Sequence, residues 1–231
     1  TPLVRERSRV QSSPAAPSPT RQAAPAQASP GLDDAGLPEG RAAASGICDV
    51  DRVYETMRQM MGPQFWTEPV DLRIRGLDVR IPYRNETNAA VGSWGWTRTG
   101  SDGRPRFHAG TDLLADEGEP VRAVHDGEVV AVVQGAAQFG TYVVLRVEVI
   151  VPPAPSCAVD FYDAHLSATA VFPGARVRAG TVLGAAGRTG NVSSHAIPTH
   201  LHIEMWLAPY ASGTDMRRAR TRDIVPLFRW F

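Results

Sequence analysis

"GEVVAVVQGAAQFGTYVVLRVEVI", residues 127–150, carries the pattern that decides the fold. Its two ends are short apolar runs rich in valine, and Gly135 and Gly140 punctuate the stretch between them. Branched side chains suit a pleated surface and glycine interrupts it, so the stretch reads as two strands, 127–133 and 141–150. The same grammar continues in "AVDFYDAHL" (158–166), "ARVRAGTVLGAAG" (175–187) and "HLHIEMWLA" (200–208). No helical period interrupts this series and no repeat recurs at a fixed spacing. Short strands divided by turn residues at regular intervals predict a mainly β sandwich or barrel.

Upstream the character changes. Residues 1–44 include "QSSPAAPSPTRQAAPAQASP", with no apolar period to bury, so this leader is expected to be a disordered Pro/Ala/Ser-rich tether. Ile47, Val50, Tyr54, Met57 and Met61 then recur at three- and four-residue steps, which predicts one amphipathic helix ended by Gly62-Pro63. "DLRIRGLDVRIP" (71–82) alternates apolar and polar residues and predicts one or two strands. The expected organisation is a tether at 1–44, a helix and strand extension at 45–90, and a β domain at 91–231.

Arginine (no lysine occurs) and Asp plus Glu both total 24, so the formal net charge is zero, which argues against a nucleic-acid partner. No apolar run approaches the roughly 20 residues a membrane-spanning helix needs. The chain opens on Thr1, so an export signal is expected to be absent from this sequence. Cys48 and Cys157 are far apart and form no CxxC, which disfavours cysteine-held zinc. A single disulfide and two small buried side chains remain equally open for them.

Chemistry concentrates in the histidines: His108, His125, His165, His195, His200 and His202. His108 and Asp112 stand four residues apart in "FHAGTD", with Gly110 between them to let the chain fold back. His200 and His202 flank one residue in "THLHIE", and strand geometry puts both on one face with Cα atoms roughly 7 Å apart. Both could bind a metal, or one could bind while the other faces a substrate. Catalytic zinc takes three His, Asp or Glu ligands and leaves a position for water, and imidazole with one carboxylate suits zinc. No HExxH occurs, so no glutamate base sits beside the ligands, and spare imidazoles are the available proton carriers. Glu204 shares the strand face of His202, where it serves either as packing or as an orienting carboxylate.

"FHAGTDLLADEGEPVRAVHDGEVV", "YDAHLSA", "GTVLGAAGRTGN" and "THLHIEMW" together resemble the lysostaphin-type, LytM-like zinc metallopeptidases of bacterial cell walls, in order, over roughly Val91 to Ala208. The resemblance implies a two-sheet β-sandwich of the duplicated-hybrid-motif type. It also implies Zn²⁺ held by His108, Asp112 and His202, with His165 and His200 catalytic and sharing base, acid and oxyanion duties. The implied reaction is hydrolysis of peptidoglycan cross-links or stem peptides by a secreted or envelope enzyme. The chain departs from the pattern in a longer "NVSSHAIPTHLH" and in an added Pro-rich hairpin with Cys157 in "VIVPPAPSCAVDFYDAH", both expected near the groove. His195 is expected at the surface rather than lining the groove, and His125 is expected to be structural. Trp94, Trp96, Tyr142 and Tyr162 are expected in the core more than along the groove.

Two rivals stand beside this reading. A non-catalytic LytM-like scaffold or activator of other wall hydrolases would have lost ligand positions, and all five expected positions are filled. A sugar-transport phosphocarrier of related architecture needs histidines but no HxxxD pair, and has no use for a Pro/Ala/Ser leader.

Overall fold

The computed structural model describes residues 48–60, 65–73, 83, 85, 88–154, 156–193, 197–208 and 214–228. Helix α1 (Val50–Gln59) begins at Asp49, whose carboxylate accepts the backbone N–H groups of Asp51 and Arg52 at 3.1 Å. That cap satisfies amides the first helical turn leaves without partners. Val50 and Met57 lie on the buried face as the periodicity predicts, Val53 joins them there, and Tyr54 is only partly buried. Ile47, Met61 and the leader at 1–44 lie outside the described residues. So does most of the strand expectation at 71–82; its described part, 71–73, holds a turn, with Leu72 buried.

The strands are β1 (Gly95–Thr99), β2 (Pro105–His108), β3 (Thr111–Leu114), β4 (Pro120–Arg122), β5 (Gly127–Ala136), β6 (Gly140–Val149), β7 (Cys157–Thr169), β8 (Arg176–Val177), β9 (Val182–Ala186), β10 (His200–Leu207) and β11 (Thr221–Arg222). Two short helices, α2 (Thr214–Arg220) and α3 (Val225–Phe228), flank β11. The fold is mainly β, as expected. Strands β1 and β2 pair as a ribbon; the other nine form one network along β11-β10-β7-β6-β5-β8, with β3 joined to β10 and β9 bridging β7 and β4. Strands β5 and β6 are the two halves of the 127–150 stretch, paired through Val129↔Leu145 and Val133↔Tyr142.

Alternation along these strands builds two apolar layers. Val143, Leu145, Phe161, Leu201, Ile203 and Met205 join α1, Trp66 and α3 in the larger core. Phe139, Tyr142, Val144, Tyr162, Ala164 and Trp206 form a smaller cluster from the intervening positions. Strand β10 is buried along its whole length. Its even-numbered residues, His200, His202 and Glu204, therefore share the face of Trp206, while Leu201 and Ile203 serve the larger core.

Strand β7 changes partners midway. Strand β10 runs beside it as far as His202↔Ala164, and β9 takes over along Leu166, Ala168 and Thr169. At the change His165 has φ 65°, the left-handed region, and its N–H donates to the Phe139 carbonyl at 2.9 Å. A non-glycine residue held there costs about 1–3 kcal/mol, which the surrounding pairings must offset.

Cys48, just before α1, and Cys157, the first residue of β7, form a disulfide, which resolves the alternative the sequence left open. Such a link typically stabilises by about 2–4 kcal/mol through restriction of the unfolded chain. Two aspartates of β7 are also buried. Arg146 donates to both carboxylate oxygens of Asp160 at 2.7 and 2.8 Å. Asp163 has no exposure and no hydrogen-bond partner among the described residues, lying between Val143 and Ile203 of the adjacent strands. Burial pushes its carboxyl up to about 8, so it stays protonated at neutral pH.

Candidate metal centre

Strands β2, β3 and β10 bring the first three site residues together. His108 ends β2, and the bend at Gly110 turns the chain into β3, which pairs with β10 through His202↔Asp112. Gly110 is required for that approach: a Cβ there would lie 2.6 Å from the Ile203 carbonyl oxygen and 2.7 Å from His202 Cε1. His108 Nε2 and His202 Nδ1 are 3.1 Å apart, and Asp112 Oδ1 lies 2.9 Å from His202 Nδ1 and 3.4 Å from His108 Nε2. All three side chains are buried, and their ligand atoms could share one ion.

The outer atoms show what these inner atoms present. His108 Nδ1 donates to the Ser93 carbonyl at 2.8 Å, because a carbonyl oxygen can only accept. His202 Nε2 donates to Glu204 Oε1 at 2.9 Å by the same logic. Glu204 is held in turn by the Trp206 indole at 2.5 Å and by Arg217 at 3.9 Å. The inner nitrogens of neutral His108 and His202 are therefore lone pairs, and they face an anionic oxygen. Three electron-rich atoms within 3.4 Å of one another repel unless a cation stands among them. Two imidazoles and one carboxylate, each oriented from behind, fit zinc.

Protons respond to the same crowding. Burial pulls His202 down, but hydrogen bonds to Asp112 and Glu204 outweigh it and push the ring up to about 9. Burial raises Asp112 while His108, His202 and His200 lower it, and the balance holds it well below the usual carboxylate range. Arg98 also pairs with Asp112 Oδ2 and donates from Nε to the Val91 carbonyl. Without a metal, a proton on His202 takes the cation's place. Zinc binding at pH 7 is thus expected to release about one proton, measurable by calorimetry in buffers of different ionisation enthalpy. Zinc uptake with no proton released would contradict this account.

His165 and His200 line the same cleft, which has a volume of about 640 Å³. Their rings lie 5.2 Å apart between centroids, and His165 is 5.7 Å from His202. His165 Nδ1 donates to the Thr189 carbonyl at 3.0 Å and His200 Nδ1 to the Pro198 carbonyl at 2.8 Å, which leaves each Nε2 lone pair free. Burial lowers both rings; for His165 the nearby His202 and His200 lower it further, to about 3. Both are neutral proton acceptors at physiological pH.

The structure therefore gathers all five expected site residues around one cleft. His125 lies elsewhere, 5.1 Å from the Trp66 ring, and His195 is outside the described residues. None of Trp94, Trp96, Tyr142 and Tyr162 is among the cleft-lining residues. Asn191, Val192, Ile197 and Pro198 of the long connection before β10 do line it, as expected. The Pro-rich connection before β7 does not: Cys157 lies eight residues before His165 along an extended strand, and none of the described residues among 150–157 borders the cleft. Arg98 and the carbonyls of Ser93, Thr189 and Pro198 are contributors that sequence reasoning missed.

Residues 106–215 match the sequence model of peptidase family M23. Among solved structures, the chain is similar to the catalytic domain of the antimicrobial peptidase lysostaphin from Staphylococcus simulans, at 22% identity and TM-score 0.44, over 58% of this chain and 86% of that one. It is similar to a zinc-containing peptidase from Vibrio cholerae at 26% identity and TM-score 0.43, over 57% of this chain and 34% of that one. It is also similar to the catalytic domain of the prophage-encoded M23 protein EnpA from Enterococcus faecalis, at 20% identity and TM-score 0.43, over 65% and 97% respectively.

Proposed function

Because residues 106–215 belong to peptidase family M23, we propose that the protein is a zinc-dependent endopeptidase acting on peptide cross-links or stem peptides of bacterial peptidoglycan. One observation carries the reading: His108, Asp112 and His202 each turn one potential ligand atom toward a common point on a cleft that two further neutral histidines share. His108, Asp112 and His202 would hold the ion. An ion there would supply Lewis acidity, which polarises a carbonyl and makes water a stronger acid. His165 and His200 supply the proton chemistry. Each offers a free Nε2 to accept a proton from attacking water; once protonated, it can donate to the developing oxyanion or to the leaving amine. The carbonyls of Thr189 and Pro198 fix both tautomers, so no ring must rotate before reaction.

The catalytic unit in this reading spans residues 91–231, with 45–90 as an extension. Tyr83, Asn85 and Asn88 of that extension line the cleft, so it borders the site as well as preceding it. Among the described residues no helix is long and apolar enough to cross a membrane. The Cys48–Cys157 disulfide fits an oxidising compartment outside the cytoplasm.

The test is metal content together with digestion of purified sacculi, read by mass spectrometry of the released peptides. The wild-type protein is expected to hold one zinc and release peptides. His108→Ala and Asp112→Ala are expected to lose both the metal and the release. A folded protein that holds no stoichiometric zinc and releases nothing from any sacculus would instead support the scaffold reading.

A further inference from the structure

The cleft carries more positive charge than the proposed chemistry uses. Its described lining includes three arginines, Arg98, Arg106 and Arg217, against two carboxylates, Asp112 and Glu204. Both carboxylates are committed, Asp112 to Arg98 and the histidines, Glu204 to His202 and Trp206. A divalent ion would raise the excess further.

Arg106 differs from the other two arginines. Arg98 is tied to Asp112 and the Val91 carbonyl, while Arg217 pairs with Glu204 and lies over the Phe139 ring at 5.9 Å. Arg106 is exposed and has no ion pair or hydrogen bond among the described residues. It sits two residues before His108 on β2, hence on the same strand face, and opposite Arg98 across the ribbon. Like charges placed directly opposite destabilise a strand pair. An anion arriving in the cleft would relieve that repulsion, and a guanidinium fork matches a carboxylate.

We infer that Arg106 binds a free carboxylate of the substrate next to the scissile bond. This rests on the endopeptidase reading and narrows it. The preferred cross-link contains a residue with a free carboxyl, as a diamino diacid does, and a bridge made only of glycines lacks that anchor.

The experiment compares two synthetic cross-linked peptides that differ only in a carboxylate or carboxamide beside the scissile bond. The zinc-loaded wild-type protein is expected to cleave the carboxylate form with a kcat/KM roughly 10–100-fold higher, as loss of a charge-assisted pair implies. Arg106→Gln is expected to keep its zinc and lose the discrimination, while Arg106→Lys recovers part of it. Cleavage of both peptides at equal rates by the wild type, or discrimination retained in Arg106→Gln, overturns the inference and leaves the endopeptidase reading standing. Calorimetric binding of the same peptides separates the remaining cases. Discriminating binding without cleavage, abolished in Arg106→Gln, supports the carboxylate site while the endopeptidase reading fails. Absence of both binding and cleavage overturns both.

Discussion

Purified His200→Ala is expected to keep a full equivalent of zinc and lose turnover by about 10²–10⁴-fold, the usual worth of a positioned proton carrier. His202→Ala is expected to lose the metal and the activity together. The two residues share a face of β10, and only their surroundings separate them. His202 Nδ1 lies 3.1 Å from His108 Nε2 and 2.9 Å from Asp112 Oδ1, with a carboxylate behind its other nitrogen. His200 Nε2 approaches Asp112 Oδ1 only to 3.7 Å, and its other nitrogen rests on the Pro198 carbonyl. A carboxylate behind an imidazole raises its basicity as a ligand more than a carbonyl does. His165→Ala should resemble His200→Ala. Zinc analysis by mass spectrometry alongside peptide release checks the division, and zinc loss in His200→Ala as complete as in His202→Ala would overturn it.

The second large effect concerns stability. Asp163→Asn is expected to remove a pH dependence that the wild-type protein carries in its core. An unfolded aspartate ionises near pH 3.9, whereas buried Asp163 holds its proton to about 8. Between those values the native state binds one proton more than the unfolded chain, so its contribution to stability falls as pH rises and levels off above about 8. The accumulated loss is on the order of 5 kcal/mol. Other groups titrate in this window: lowered His108, His165 and His200 add stability as pH rises toward 6.5, while raised His202 acts in the opposite sense. The informative quantity is therefore the difference between wild type and variant in denaturant unfolding at pH 5 and pH 8. The variant should gain relative to the wild type as pH increases. Parallel stability curves would mean that Asp163 finds a partner or reaches solvent.

Much of this architecture was readable before any coordinates. Valine-rich runs between glycines mark β5 and β6 because branched side chains suit a pleated surface and glycine interrupts it. Val50, Tyr54 and Met57 mark α1 by their helical spacing, although Val53 rather than Tyr54 completes its buried face. The candidate cluster was readable because HxxxD and HxH both place chemistry at fixed spacing, whereas the choice of His202 over His200 as the ligand came from the family resemblance and not from spacing. What the sequence hid depends on long-range contact. The carbonyls of Ser93, Thr189 and Pro198 orient three rings, yet every residue has a carbonyl, so none of them leaves a mark. Asp160 and Asp163 look alike in "AVDFYDAHL"; only the structure shows that Arg146 reaches one and nothing described reaches the other. Helices α2 and α3 are too short to produce a decisive period.

The bond between Cys48 and Cys157 turns everything from residue 48 to residue 157 into a closed ring that holds His108 and Asp112 but leaves out His202. One proteolytic nick within that ring opens it without freeing a fragment, so a processing event could not shed α1 by cleavage alone. It would need a thiol as well, and its product would keep its full mass on a non-reducing gel while splitting in two once reductant is added.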